Sequence, residues 1–287
     1  MAANETTSGT ALRVEHVGAF MLITFNQPEM HNPLSPEVVS ALGSALAEAE
    51  SDVALRAIVI RGAGSTFSAG GNLDNFEERI ATPINADGSD PVVMSNRMFG
   101  VFLERLARFP KPVVVAAHGA AMGGGAGLVC AADIALVCAG TRFCFIETRI
   151  GLVPAQILPF VVARIGAQRA RRMMLTAERF GADEALRIGL VDIVANDMEA
   201  LRAQLGDVLD RIGLCAPDAL ARTKRLAMRC LAPESLSGTG LTELLDDAAN
   251  DFAAQLRGAG SEGVRAARAR RDPAWRVVFD RSALARW

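Results

Sequence analysis

The sequence predicts an α/β fold, a β/α core followed by a helical lobe. Three observations predict it. Short apolar runs without polar alternation recur at 54–60, 112–117 and 134–138, as strands of a parallel sheet covered on both faces do. Stretches of helical period separate them, at 36–50, 74–80 and 94–109. Beyond Gly151 the pattern is helical almost throughout, so alternating strands and helices give way to helices alone. The β/α core is read over 11–212 and the helical lobe over 213–287, with residues 1–10 as a disordered, frayed tail.

Each element has a local reason. The runs 12–17 and 20–25, split by Gly18, read as a hairpin, and Asn26-Gln27-Pro28-Glu29 ends it. Ser35-Pro36-Glu37 opens a helix: Ser as N-cap, Pro at the first helical position, an acid in the first turn. The strand 54–60 turns at Gly62-Ala63-Gly64-Ser65 into the loop Phe67-Ser68-Ala69-Gly70-Gly71-Asn72-Leu73. An acid-rich helix follows, then an exposed, mobile loop over 81–90, rich in Pro, Gly, Asn and Asp. The next helix ends at Pro110, and 143–146 adds a short strand after 134–138. Apolar stripes predict helices at 156–165, 167–176, 183–188, 198–212, 217–231 and 233–257.

A chain of 287 residues is long enough to bury one sizeable core. Its net charge of −2 offers no basic field for nucleic acid. The cysteines Cys130, Cys138, Cys144, Cys215 and Cys230 lack C-x-x-C spacing and read as reduced thiols of a cytoplasmic protein. His16, His31 and His118 are scattered, which argues against zinc. No run approaches the roughly 20 apolar residues of a membrane span, and the polar start is not a secretory signal.

The most informative stretch is His118-Gly119-Ala120-Ala121-Met122-Gly123-Gly124-Gly125-Ala126-Gly127. Glycine is costly inside regular elements, so a triplet between a strand and a helix marks close backbone approach. At a helix start it also presents unpaired N–H groups to a polarised oxygen. The stretch is a candidate oxyanion site.

Two such glycine loops, one β/α unit apart, resemble those of the crotonase superfamily, the enoyl-CoA hydratases and isomerases. Further matching pieces are Asn26-Gln27-Pro28-Glu29, Asn32-Pro33-Leu34-Ser35, Ala132-Asp133-Ile134 and Phe145-Ile146-Glu147-Thr148-Arg149-Ile150-Gly151-Leu152-Val153-Pro154. Ser261-Glu262-Gly263-Val264 and Arg271-Asp272-Pro273-Ala274-Trp275 complete the set in the family's order, over nearly the whole chain. The resemblance implies a crotonase-like (ββα)n spiral core with a C-terminal helical trimerisation lobe, assembled as a homotrimer or a dimer of trimers. It implies an acyl-CoA thioester substrate, with CoA as part of that substrate and no metal or other cofactor. The Gly71 and Gly124 N–H groups would hold the thioester oxygen, and Ser68, Gly70, Gly71, Asn72 and Leu73 would line the CoA path. Met30 and His31 stand where relatives carry a basic residue for the CoA phosphates; the plainer reading of His31 is a surface turn. Asp74 reads as a helix N-terminal acid.

Hydratases of this family commonly use two glutamates. The first position here is Gly127, so that carboxylate is absent; the second is Glu147. Apolar neighbours should partly desolvate Glu147 and suit it to proton transfer near neutral pH; the structural alternative is a pair with Arg149. One carboxylate is compatible with hydration, if Glu147 passes the water's proton to carbon, and with Δ3-Δ2-enoyl-CoA isomerisation. A non-catalytic CoA-ester-binding or scaffold protein is the reading from another class. Residues 146–180 look like the branched glutaconyl-CoA hydratases, whose substrates bear a second carboxylate; Arg149 is one candidate to receive it. Glu77 and Glu78 read as a solvated helix face, His118 as a hydrogen-bonded core histidine, and Cys144 has no paired base.

Overall fold

The computed structural model describes residues 5–9, 11–71 and 73–287. Its strands are β1 (Glu5–Gly9), β2 (Leu12–Val17), β3 (Phe20–Phe25), β4 (Ala57–Gly62), β5 (Val113–Ala117), β6 (Ala120–Met122), β7 (Ile134–Cys138), β8 (Arg142–Cys144), β9 (Phe180–Gly181) and β10 (Ile193–Ala195). The main sheet has the order β1-β2-β3-β4-β5-β7-β10, and β6-β8-β9 forms a second, smaller sheet. In the main sheet β1, β2 and β3 pair antiparallel and the pairings from β3 through β4, β5 and β7 to β10 are parallel. The apolar runs at β3, β4 and β5 are buried at every position because both faces of the sheet are covered.

Alternation along each strand assigns the two faces. Ile58, Ile60, Val113 and Val115 enter one core with Leu42, Leu46, Phe102 and Leu106 from α1 (Pro36–Ser51) and from a second long helix. Ala57, Val59, Val114 and Phe20 enter another with Leu205, Leu209, Phe279 and Leu284. Leu42 and Leu46 are fully buried; truncating either to Ala should cost roughly 2–5 kcal/mol.

The remaining helices are α2 (Leu73–Ala81), α3 (Pro91–Ala107), α4 (Gly124–Ala131), α5 (Leu158–Ile165), α6 (Ala167–Thr176), α7 (Ala182–Arg187), α8 (Met198–Gly213), α9 (Pro217–Arg229), α10 (Gly238–Arg257) and α11 (Ala259–Arg268). α1 and α3 begin alike: Ser35 Oγ accepts from Val38 N (3.3 Å) and Asp90 Oδ1 from Val92 N (2.8 Å), each followed by Pro. Both caps satisfy an N–H that the helix itself leaves unpaired.

Several expectations change. Within the supposed tail of 1–10, Glu5–Gly9 forms an edge strand, Thr6 pairing with Val14; Thr6 and Thr7 suit a strand whose backbone finds a partner in β2. Residues of 213–287 pack on the core. Phe279 meets Phe20 edge-on (5.3 Å), Phe279 N donates to Asp210 (3.0 Å), and Arg281 bonds Asp207 and Asp210 on α8. The strand read at 54–60 lies at Ala57–Gly62, because Asp52 accepts from Ala54 N and holds a turn there. The run 233–257 divides into a 3-10 turn at Pro233–Leu236 and α10.

The register that matters for function is β4 on β5, with Ile60 opposite Val115 and Arg61 opposite Ala116. Both strands end side by side, so the two glycine loops leave the sheet as neighbours at its C-terminal edge, where open α/β sheets form their sites.

Candidate active site

The first loop is held by a buried asparagine. Asn32 Oδ1 accepts from Gln27 N (3.0 Å), and its Nδ2 donates to Ala63 O (2.9 Å) and Thr66 O (2.7 Å). Leu34 N donates to Gly70 O (2.8 Å), Ser68 N to Ala120 O (3.1 Å) and Met122 N to Ser68 O (3.0 Å), which ties the loop to its partner. Gly70 has φ +83°, and a Cβ there would lie 2.5 Å from Met122 O and 3.3 Å from Gly124 N. Glycine is thus required both by the left-handed backbone and by the contact of one loop with the other. Gly124 is the first residue of α4, so its N–H has no acceptor inside the helix. Among the described residues neither the Gly71 nor the Gly124 N–H donates to the protein, and both residues line one cavity.

Glu147 enters the same cavity from a 3-10 turn, Glu147–Ile150. The turn is anchored from behind: Thr148 Oγ1 donates to Met174 O (2.7 Å) and Arg149 to Ala177 O (2.9 Å). Those bonds aim the two following side chains away and leave Glu147 facing inward. Its Oε1 lies 3.0 Å from the place a Cβ on Gly123 would take, beside the second loop. Its Oε2 is buried with no hydrogen-bond partner among the described residues. Burial therefore holds the carboxyl above the usual carboxylate range, offset only in part by its own backbone N–H.

The cavity has a volume of about 650 Å³, the size of a site for a small organic ligand. Leu34, Val92, Phe99, Leu152 and Ile157 make much of its wall apolar. Asn96 and Gln156, joined by a 2.9 Å hydrogen bond, and Arg79 and Arg97 add polar groups. A Cβ on Gly127 would stand 2.2 Å from Ile157 Cγ2, so the space beside the missing glutamate is filled by an isoleucine.

The expected residues separate into two groups. Glu147, Gly71 and Gly124 are brought together in the cavity. Ser68 and Gly70 are buried behind it: Ser68 Oγ donates to Asn32 O (2.8 Å) and accepts from Gly70 N (3.1 Å). The Ser68 hydroxyl is used inside the loop. Asn72, with the side chains of Leu73 and Asp74, lies outside the described residues. Arg149, committed to Ala177 O, neither pairs with Glu147 nor lines the cavity. His31 is an exposed turn residue with φ +59°, and Glu77 and Glu78 are exposed. His118 is a core histidine whose Nε2 donates to Gly64 O (2.8 Å). Sequence reasoning missed Ile157, Phe99 and the Asn96–Gln156 pair, which only the folded chain brings to this wall.

Two unpaired backbone donors and one buried carboxyl that line the same cavity are groups with which an oxyanion-stabilising site can be built. A family model described as enoyl-CoA hydratase/isomerase matches residues 15–275, and the chain belongs to that family. It resembles the crystal structure of an enoyl-CoA hydratase/isomerase from Marinobacter aquaeolei: 39% identity and a TM-score of 0.86 over 92% of this chain and 98% of that one. It also resembles Pseudomonas aeruginosa AtuE: 41% identity and a TM-score of 0.85 over 92% and 99%. Among curated relatives, a putative enoyl-CoA hydratase of Thermus thermophilus is 38% identical over 146 residues, 50% of this chain and 55% of the relative. The 1,2-epoxyphenylacetyl-CoA isomerase of Escherichia coli is 32% identical over 134 residues, 47% and 50% of the two. The aligned stretch spans about half the length of these curated relatives. No helix among the described residues is long and apolar enough to cross a membrane.

Proposed function

We propose that this protein hydrates the double bond of a 2-enoyl-CoA. The observation that carries the reading is the placement of Glu147, buried and unpaired at Oε2, in the cavity that Gly71 and Gly124 line. In this reading the two N–H groups receive the thioester oxygen. As water adds to C3, electron density moves through C2 to that oxygen, giving an enolate that the two fixed donors stabilise. Glu147 takes the proton that the water loses and delivers it to C2, so that H and OH are added and the carboxylate is restored. A carboxyl held above its usual range is suited to both transfers.

A second reading, isomerisation of a 3-enoyl-CoA to the conjugated 2-enoyl-CoA, is favoured by Ile157 packed against Gly127. Among the described residues that wall offers no second carboxylate to hold water, and a proton shift needs only one. A thioester panel followed by mass spectrometry separates the two. Crotonyl-CoA gaining one water supports hydration; conversion of a 3-enoyl-CoA at constant mass, with crotonyl-CoA unchanged, overturns it. For assembly we propose a homotrimer or dimer of trimers formed through the helical lobe, supported by the exposed Leu241, Leu245, Phe252 and Leu256 on α10.

A further inference from the structure

The roots of the two glycine loops meet a third element. After α11 the chain returns to the sheet, and Trp287 stands at the C-terminal ends of β4 and β5. Its indole Nε1 donates to Gly62 O (2.8 Å). Its ring meets the His118 imidazole edge-on, centroids 5.9 Å apart and planes at 71°, and lies 5.3 Å from the Arg61 guanidinium. Arg202 on α8 donates to the Trp287 carbonyl. His118 in turn donates from Nε2 to Gly64 O. Trp287 and His118 together therefore grip the carbonyls of Gly62 and Gly64, just ahead of the first loop, from the residue that opens the second.

Between these roots the loops touch backbone to backbone. Phe67 N donates to His118 O (2.9 Å). A Cβ on Gly119 would lie 1.8 Å from Ser65 O, so no side chain separates them. Ser68 N to Ala120 O and Met122 N to Ser68 O continue the contact toward Gly70 and Gly124. Trp287 does not line the cavity. The cation beneath it is fully buried Arg61, bound to Thr24 (2.9 Å) and Glu15 (3.0 Å), with its remaining terminal nitrogen unpartnered among the described residues. The indole face gives that guanidinium an electron-rich surface in place of water, which fixes the ring's place over the strand ends.

We propose that Trp287 is a positioning residue for the oxyanion site, setting the separation of the Gly71 and Gly124 N–H groups from outside the cavity. The proposal rests on the oxyanion reading of those two glycines. Trp287→Phe keeps a ring against His118 and Arg61 and removes the donor to Gly62 O; Trp287→Ala removes both. The expected result is a kcat lowered about tenfold in the Phe variant, and further in the Ala variant, with KM little changed, as for an oxyanion donor displaced rather than deleted. The decisive readout is the carbonyl stretch of carbon-13-labelled crotonyl-CoA, by difference infrared spectroscopy, bound to Glu147→Gln protein with and without Trp287→Phe. The shift of that stretch to lower frequency should shrink in the double variant. An undiminished shift with unchanged kcat, whatever happens to Tm, overturns the proposal and leaves Trp287 a purely structural residue. Absence of any shift in the Glu147→Gln parent overturns the oxyanion reading itself. Should the Ala variant not fold, the Phe variant alone decides.

Discussion

Ile157 occupies the volume that any side chain at position 127 would need: its Cγ2 stands 2.2 Å, and its Cβ 2.7 Å, from where a Cβ on Gly127 would be built. The two positions form one packing unit, and they are predicted to change together. Gly127→Glu alone should destabilise the protein by about 1–3 kcal/mol through overpacking. Adding Ile157→Ala should recover most of that loss and admit a second carboxylate to the cavity. Thermal melts of the two single variants and the double variant check the coupling; strictly additive shifts would contradict it.

Glu147 yields a prediction whose sign follows from burial. Its folded pKa lies above the ordinary 4.5 because the fold disfavours the ionised form. The stability this group allows is therefore full below pH ~4.5 and is lost as pH rises through the raised pKa. Glu147→Gln removes the loss, so its Tm should exceed the parent's at pH 7 and match it near pH 4. Turnover should fall roughly 10²- to 10⁴-fold, as for loss of a general acid–base group. Scanning calorimetry across pH, with kcat measured on the same samples, tests both halves.

Asn32 connects the entry of the fold to the first donor. It is 1% exposed and makes three hydrogen bonds, to Gln27 N, Ala63 O and Thr66 O, from a backbone with φ +54°. Asn32→Ala leaves those buried groups unpaired and places Ala where asparagine is better tolerated. A loss of about 2–3 kcal/mol in urea denaturation is expected, with kcat falling more than KM rises because Gly71 lies on the released loop. Asn32→Asp should not rescue it: a carboxylate cannot donate to Ala63 O and Thr66 O.

These residues also show which parts of the protein are legible in sequence. Continuous burial at β3, β4 and β5, the Gly18 hairpin and the Ser35 helix start depend on near neighbours, and local patterns carry them. Gly71, Gly124 and Glu147 stand in ordered motifs, and the structure brings all three to one cavity. A motif gives position but not the direction of a side chain, and that of Ser68 turns back to Asn32 O. The start of α4 at Gly124 contradicts helix propensity; contacts such as Leu34 and Phe99 against that glycine arise only from tertiary packing. Ile157, Phe279 and Trp287 act across long sequence separations, which no periodicity records.

Asp133 and Lys224 provide the last test. Asp133 Oδ2 accepts from Lys224 Nζ (2.7 Å) and from Val113 N (2.7 Å), linking α9 to the edge of β5. Burial raises the Asp133 pKa and lowers that of Lys224 despite their mutual attraction, so for each group desolvation outweighs the pairing. Lys224→Met alone should therefore be destabilising by about 2 kcal/mol, since it strands a carboxylate that is largely out of water. Adding Asp133→Asn removes the stranded charge while the side-chain oxygen still accepts from Val113 N. The double variant should match the parent within about 1 kcal/mol, or exceed it. A double-mutant cycle by urea denaturation measures the difference. A double variant clearly less stable than the parent would mean that attraction, not desolvation, dominates this pair.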